Sequence, residues 1–313
     1  MTDRAAGRAR WIVYQRERFP LLAHGPLIAA FSSGAVCYSA QLRALHAGLP
    51  FGVRGSSLVV AFVSCLLFFF ELRVADEFKD AEDDARWRPY RPVPRGLVTL
   101  GELRGAAIAA ALVQLTLALW LEPRLVLPLL ATWAYMALMT REFWVREWLR
   151  AHPVTVLWSH MLVIPLIDLY ATACDWMPSG SGRVVGSGLA WFLVASFFNG
   201  MVVEIGRKIR APADEETGVE TYSVLWGPRR ATMAWLALMS CALLAATIAA
   251  RAVGAQWIVG GFLGAIALAA VVAGVPMARS PSPGAGRRLE LVSGVWTISM
   301  YLGVGVLPLV VRR

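Results

Sequence analysis

About nine apolar runs, each close to the length that crosses a lipid bilayer, leave this chain little freedom in how it can fold. They lie near residues 21–43, 56–75, 103–121, 125–140, 153–174, 188–206, 231–250, 256–277 and 289–310. A helix needs about 20 apolar residues to cross roughly 30 Å of hydrocarbon, so each run is predicted as one membrane helix. Of 313 residues, 58% are apolar and 16% charged, and the mean hydropathy is +0.57. These values exclude an ordinary soluble domain. The predicted fold is all-α and polytopic, one transmembrane domain over residues 1–313 with no room for a separate soluble unit.

The start of the chain carries Arg4, Arg8 and Arg10 ahead of Trp11. It reads as a basic interfacial segment rather than a cleaved signal peptide, because no short apolar core with a small-residue cleavage site follows it promptly. Lys and Arg concentrate in alternate loops: the N-terminal arm, 73–104, 141–150, 207–230 and 279–288. By the positive-inside rule these face the cytoplasm, which puts the N-terminus inside and the C-terminus outside. The expected location is a cell membrane, with the bacterial inner membrane the expected one. The net charge of +9 requires no nucleic acid; anionic lipid of the cytoplasmic leaflet attracts such loops, and an anionic substrate would use the rest. Cys37, Cys65, Cys174 and Cys241 lack metal-type spacing and read as small packing residues.

Charge is concentrated where two of the apolar runs end. In the first cluster Asp76, Asp80 and Asp84 recur every four residues, so on a continuing helix they stack on one face, with Glu77 at its border. Carboxylates so placed repel one another and call for a cation. Oxygen ligands suit Mg²⁺, which takes one or two carboxylates and leaves its other positions to water and phosphate oxygens. Arg88 and Arg91, with Arg86 and Arg95, supply forked donors for phosphate. An acidic stripe beside an arginine loop therefore reads as a metal-bridged diphosphate site, with Asp76, Glu77, Asp80 and Asp84 as ligands. The plain alternative is a solvated loop whose charges pair among themselves.

The pattern resembles the UbiA-type intramembrane prenyltransferase superfamily. That superfamily's first signature, NDxxDxxxD followed by an arginine-rich stretch ending RPxxxG, corresponds here to Asp76-Glu77, Asp80, Asp84 and then Arg91-Pro92-Val93-Pro94-Arg95-Gly96. The Asn-Asp pair is replaced, and the spacer before Arg91 is about two residues short. The second signature, DxxDxxxDxxxGxxTL, registers on Gly218 and Thr221. Arg207 and Arg210 then occupy the first two aspartate positions, and only Asp214 is kept. Two arrangements stay open. Glu204 and Asp214 hold a second Mg²⁺ while Arg207, Lys208 and Arg210 bind diphosphate oxygens, or one metal sits at the first cluster and these positive side chains replace the other. A third reading makes Glu204 and Lys208 an ordinary i,i+4 pair and the basic residues membrane anchors.

The resemblance implies a nine-helix bundle whose central cavity opens to cytoplasmic loops. It also implies Mg²⁺-dependent ionisation of an isoprenyl diphosphate and transfer of the prenyl group to an aromatic or quinone-precursor acceptor, with Asp76, Asp80 and Asp84 as the catalytic carboxylates. A terpene cyclase using the same ionisation without an acceptor is the alternative, and a transporter using the acidic stripe as an ion site is a third class. The allylic cation needs aromatic faces, for which Phe68, Phe69, Phe70, Trp158, Trp191, Phe197, Phe198, Trp235 and Trp296 are available. Among polar residues within the helices, Asp168 is a candidate proton acceptor, although its nearness to the outer loop at Asp175–Arg183 favours a boundary position. Asn199, whose helix leads into the second cluster, is a candidate headgroup contact.

Overall fold

A computed structural model describes residues 2–48, 50–180 and 186–311, with side chains from residue 9 onward. The side chains of Arg4 and Arg8, the loop residue Arg183 and residues 312–313 lie outside the described residues. Every predicted run is helical, and among the described residues there is no strand. A helix α1 (Thr2–Arg18) leads into α2 (Leu21–Ala47) and α3 (Gly55–Lys79). A short α4 (Ala81–Trp87) is followed by α5 (Leu100–Leu121), α6 (Val126–Thr140) and the single turn α7 (Arg146–Arg150). Then come α8 (Pro153–Met161), α9 (Val163–Trp176), α10 (Ser187–Arg207) and the short α11 (Tyr222–Trp226). The chain closes with α12 (Pro228–Arg251), α13 (Gln256–Arg279), α14 (Ala285–Gly305) and α15 (Leu307–Val311).

Among the described residues seven spans are long and apolar enough to cross a membrane: α2, α3, α5, α8 with α9, α10, α12 and α13. Of the other two predicted runs, α6 has only 15 residues, about 22 Å at 1.5 Å per residue. α14 opens with Arg287, Arg288 and Glu290. The predicted single helix at 153–174 is broken at Leu162, the residue between α8 and α9. Pro165 accounts for the break, because it has no N–H for the Met161 carbonyl and its ring crowds that oxygen. Helix starts follow local chemistry too. Thr99 caps α5 in a box with Glu102: the Glu102 N–H donates to Thr99 Oγ1 at 3.2 Å, and the Thr99 N–H donates to Glu102 Oε2 at 2.9 Å.

α10 packs along α12, α12 along α13, α14 along α2, and α2 along α9. Inside lipid such contacts are driven by close packing rather than by expulsion of water, which favours small residues where backbones meet. The α2–α14 crossing shows this, since a Cβ on Gly305 would lie 2.2 Å from the Gly34 carbonyl oxygen, and one on Gly34 would lie 2.6 Å from the Tyr301 carbonyl oxygen. The bundle has two polar ends. One gathers the segments 80–99, 141–152, 208–227 and 280–284, linked by contacts such as Asp214 with Gly284. The other is tied by Arg43, whose Nη2 donates to Asp175 Oδ1 at 3.1 Å, and by Arg124 and Arg54, which donate to the Met177 and Pro178 carbonyls.

Gly305→Val is expected to lower stability by about 1–3 kcal/mol through overpacking, seen as a lower thermal midpoint in detergent. Gly294→Ala on the same helix, with nothing within 4 Å of the added carbon, is expected to leave the midpoint unchanged; equal effects would show that the crossing is not tight.

Candidate functional site

α3 passes into α4 with the helical ladder intact. Asp80 closes one helix and opens the next. The Asp80 N–H donates to the Asp76 carbonyl at 2.9 Å, Asp84 N–H to Asp80 at 2.8 Å and Arg88 N–H to Asp84 at 2.9 Å. The four-residue stripe is therefore kept by the backbone, but its side chains divide. Asp84 is buried and accepts from Arg91 Nη1 at 2.6 Å and Arg88 Nη1 at 3.0 Å, with Arg18 Nη2 at 4.0 Å. Glu77 is buried and takes the Nε–H of the same Arg18. Glu77 and Asp84, expected as metal ligands, are engaged here by a buried ionic network: Asp84 by Arg88 and Arg91, and Glu77 through one oxygen by Arg18, its buried Oε2 having no hydrogen-bond partner among the described residues. Arg88 and Arg91, expected on diphosphate, belong to that network through part of their donor sets.

Asp76 and Asp80 are left outside it. The Asp76 side chain is 43% exposed and meets Arg73 Nη2 at 2.5 Å. Asp80 makes no ion pair or side-chain hydrogen bond among the described residues. Its carboxyl is pushed above the ordinary range by burial first and then by Asp76 and Asp84, against the pull of Lys79 and Arg88. Two neighbouring carboxylates, one of them short of a counter-charge, fit what a hard cation requires. Among the described residues no three His, Cys, Asp or Glu side chains form a cage that could hold a metal alone. The pair suits an ion such as Mg²⁺ that draws its remaining oxygens from water and substrate.

The second cluster is organised differently. Glu204 is buried and accepts from Arg207 Nη2 at 2.6 Å and Lys208 Nζ at 2.8 Å, so the ordinary helix pair predicted for it is present. Arg207 also interacts electrostatically with Asp76, which brings the clusters together. Lys208 Nζ lies 5.9 Å from the centre of the Tyr222 ring. Asp214, expected to bind metal, has its Oδ2 engaged by the Gly284 N–H at 2.7 Å and fixes the start of α14. Arg210 donates its backbone N–H to Ser223 Oγ at 2.9 Å and packs by Cα on Gly286. Gly218 has φ +79°, and a Cβ there would sit 2.4 Å from the Trp87 ring, so only glycine allows the loops to dock.

Between the clusters lies a cleft of about 230 Å³. Lys79, Asp80 and Asp83 line one wall, Lys208, Thr221 and Tyr222 another, and Glu142, Arg146 and Arg150 a third. The third wall was missed in the sequence, where 141–150 signals only positive charge. Glu142 is buried and pairs with Lys79, and its Oε2 lies 3.4 Å from His160 Nε2. Burial would raise its carboxyl, yet His160 and Lys79 hold it down at about 2. Three successive residues, Glu142, Phe143 and Trp144, have φ of 49°, 52° and 59°, a left-handed turn without glycine that no propensity foretells.

Two predicted contacts lie elsewhere. Asp168 is fully buried and is not among the residues that line the cleft; it accepts from Tyr301 Oη at 2.7 Å and from Ser196 Oγ, joining α9, α10 and α14. Asn199, expected as a headgroup contact, is buried against α14, its Oδ1 accepting from Thr297 Oγ1 at 3.1 Å, and is not among the residues that line the cleft. Of the aromatic residues, Phe68, Trp235 and Trp296 are core, Trp158 and Trp191 are exposed on the outside, and Phe69, Phe70, Phe197 and Phe198 are half-buried.

The sequence matches the model of the UbiA prenyltransferase family over residues 26–290. Comparison with curated proteins gives no match. The fold is similar to the apo structure of a UbiA homologue from Aeropyrum pernix K1, at 15% identity, TM-score 0.65, covering 91% of this chain and 97% of that one. It is similar to a digeranylgeranylglyceryl phosphate synthase, at 12% identity, TM-score 0.59, covering 95% and 98%. A UbiA homologue from Archaeoglobus fulgidus bound to DMAPP and Mg²⁺ aligns at 13% identity, TM-score 0.58, covering 94% and 99%.

Asp84→Asn is expected to destabilise the protein by about 3–5 kcal/mol, because it strands buried arginines, whereas Asp80→Asn removes an unpaired charge and is expected to leave the thermal midpoint within a degree or so. Thermal unfolding of the two variants in one detergent checks the division of the stripe; equal loss would refute it.

Proposed function

Because the chain belongs to the UbiA prenyltransferase family, we propose that it transfers a prenyl group from an isoprenyl diphosphate to an acceptor of aromatic or quinone-precursor type. The reaction is assigned to the cleft beside Asp76 and Asp80. One observation carries the reading: of the four candidate ligands Asp76, Glu77, Asp80 and Asp84, the buried arginine network engages Glu77 and Asp84 and leaves Asp76 and Asp80 for a cation. Mg²⁺ held by these two residues would supply positive charge to the departing diphosphate oxygen. The homologue bound to DMAPP and Mg²⁺ supports that assignment by its fold.

The chain's own residues do the rest. Lys208, on the cleft wall facing Asp80, and the partly exposed Arg207 supply donors for diphosphate oxygens. Arg88 and Arg91 keep unused N–H groups while Asp84 fixes their planes, so their orientation is set before substrate arrives. Lys79 is held by Glu142 at the third wall. The half-buried Phe69, Phe70, Phe197 and Phe198 are the aromatic faces left to meet an isoprenoid chain and its cation. The excess of Lys and Arg at this end of the bundle supports a cleft that faces the cytoplasmic side of a cell membrane.

The test is release of diphosphate from geranyl, farnesyl and geranylgeranyl diphosphates by the purified protein, with and without Mg²⁺ and aromatic acceptors, and mass spectrometry of the lipid products. Mg²⁺-dependent, acceptor-dependent release is expected. Cyclic hydrocarbon or alcohol without acceptor would assign a terpene cyclase instead, and no release from any chain length would sink the proposal. Asp76→Asn and Asp80→Asn are each expected to reduce turnover by about 100-fold or more, the scale of several kcal/mol of charge stabilisation, while the protein stays folded in membranes.

A further inference from the structure

Resting on the reading of the cleft as a diphosphate site, we infer that this protein binds its diphosphate with one divalent cation, at Asp76 and Asp80, and that the Arg207–Lys208 pair of the second cluster takes the opposite end of the diphosphate directly. Four observations converge on the second cluster. Glu204 is buried and bonded by two cations, Arg207 through both Nε (2.7 Å) and Nη2 (2.6 Å) and Lys208 through Nζ (2.8 Å), while Glu220 lines the cleft with Lys208 and Asp80. Asp214 is turned to the Gly284 N–H at 2.7 Å, and Glu215 accepts from Thr221 Oγ1 at 2.7 Å. The positions where the register would place further carboxylates are Arg207 and Arg210.

The charges decide the matter. Glu204 with Arg207 and Lys208 carries a net charge of +1 (−1 + 2), so a second divalent ion placed there would meet repulsion instead of ligands, and its carboxylate would first have to be stripped of two cations. The same net charge attracts an anion. Arg207 is held in a fixed plane by its two bonds to Glu204, keeps its Nη1 donors free, and has a side chain 45% exposed; Lys208, 42% exposed, lines the cleft. Arg207 also interacts electrostatically with Asp76, which links the basic pair to the carboxylates that would hold the cation. A fixed guanidinium forms paired bonds to phosphate oxygens without needing a metal to bridge them.

Equilibrium dialysis of the full-length protein with Mn²⁺ and inorganic pyrophosphate counts both ligands together. One Mn²⁺ per bound pyrophosphate is expected, falling to none in Asp80→Asn. In the absence of any divalent cation, Arg207→Gln is expected to weaken pyrophosphate binding at least about tenfold, the scale of a charged hydrogen bond, and to leave the Mn²⁺ count at one. Two Mn²⁺ per pyrophosphate, or unchanged metal-free affinity in Arg207→Gln, would overturn this inference and leave the prenyl-transfer reading standing. Neither ligand bound by the unmodified protein would overturn both. Should Arg207→Gln fail to accumulate, Glu204→Gln/Arg207→Gln removes the buried carboxylate with its partner and makes the same measurement.

Discussion

Arg18 is the residue on which the charged end depends. It reaches from the end of α1 into the bundle and bonds Glu77 while lying 4.0 Å from Asp84, with only 9% of its side chain exposed. Burying carboxylates costs several kcal/mol each unless every one is paired, and Arg18, Arg88 and Arg91 together pair these two. The network joins three pieces of chain that a small apolar cluster of Tyr14, Val74 and Val98 also packs together: helix α1, the end of α3 and the loop after α4. A second tie, Arg95 to Glu17 at 2.9 Å, runs the same way. The consequence for chemistry is selection. By engaging Glu77 and Asp84 in the interior, the network leaves Asp76 and Asp80 as the pair to which the proposed cation is assigned.

The second cluster is pinned from the other side. Trp87, just beyond the buried Asp84, lies on Gly218, and Asp214 grips the first turn of α14. Loop and helix starts are therefore set by packing and backbone bonds, which leaves Glu204, Arg207 and Lys208 as the charged group that faces the first cluster. The cleft between them is a by-product of this docking, walled by side chains that each answer to a partner behind them.

Much of this was legible in the sequence, and the misses have a common cause. The apolar runs at 21–43 through 289–310 gave the helices because lipid leaves a long apolar segment no other regular structure. The i,i+4 stripe of Asp76, Asp80 and Asp84 is present in the backbone as the spacing predicts, and the Glu204–Lys208 pair likewise. What spacing does not carry is which partner arrives from a distant element. Arg18 is 59 residues from Glu77, Gly284 is 70 from Asp214, and Thr297 is 98 from Asn199. Each of these gives a predicted ligand residue a structural partner that its sequence neighbours do not announce. The Glu142–His160–Lys79 wall was hidden for the same reason, and also because a left-handed turn at Glu142, Phe143 and Trp144 has no glycine to announce it.

The two ends of the bundle, built from the same residue types, differ in how completely their charges are answered. At the end near Asp175, that carboxylate takes Arg43 and the Ser39 hydroxyl. Arg43 goes on to the Gly52 carbonyl, and Arg54 and Arg124 find the carbonyls of Pro178 and Met177. That is the pattern of helix ends tied to their loops. At the opposite end Asp80 lies partly buried with like charges for neighbours and no ion pair, and Glu204 draws two cations to itself, leaving an excess of positive charge. Buried charge left short of a partner costs stability unless a ligand completes it, and here Asp80 and Lys208, of opposite sign, line one cleft. A cation against Asp80 and an anion against Arg207 and Lys208 answer both at once, and a metal-bound diphosphate is a single ligand that brings the two together.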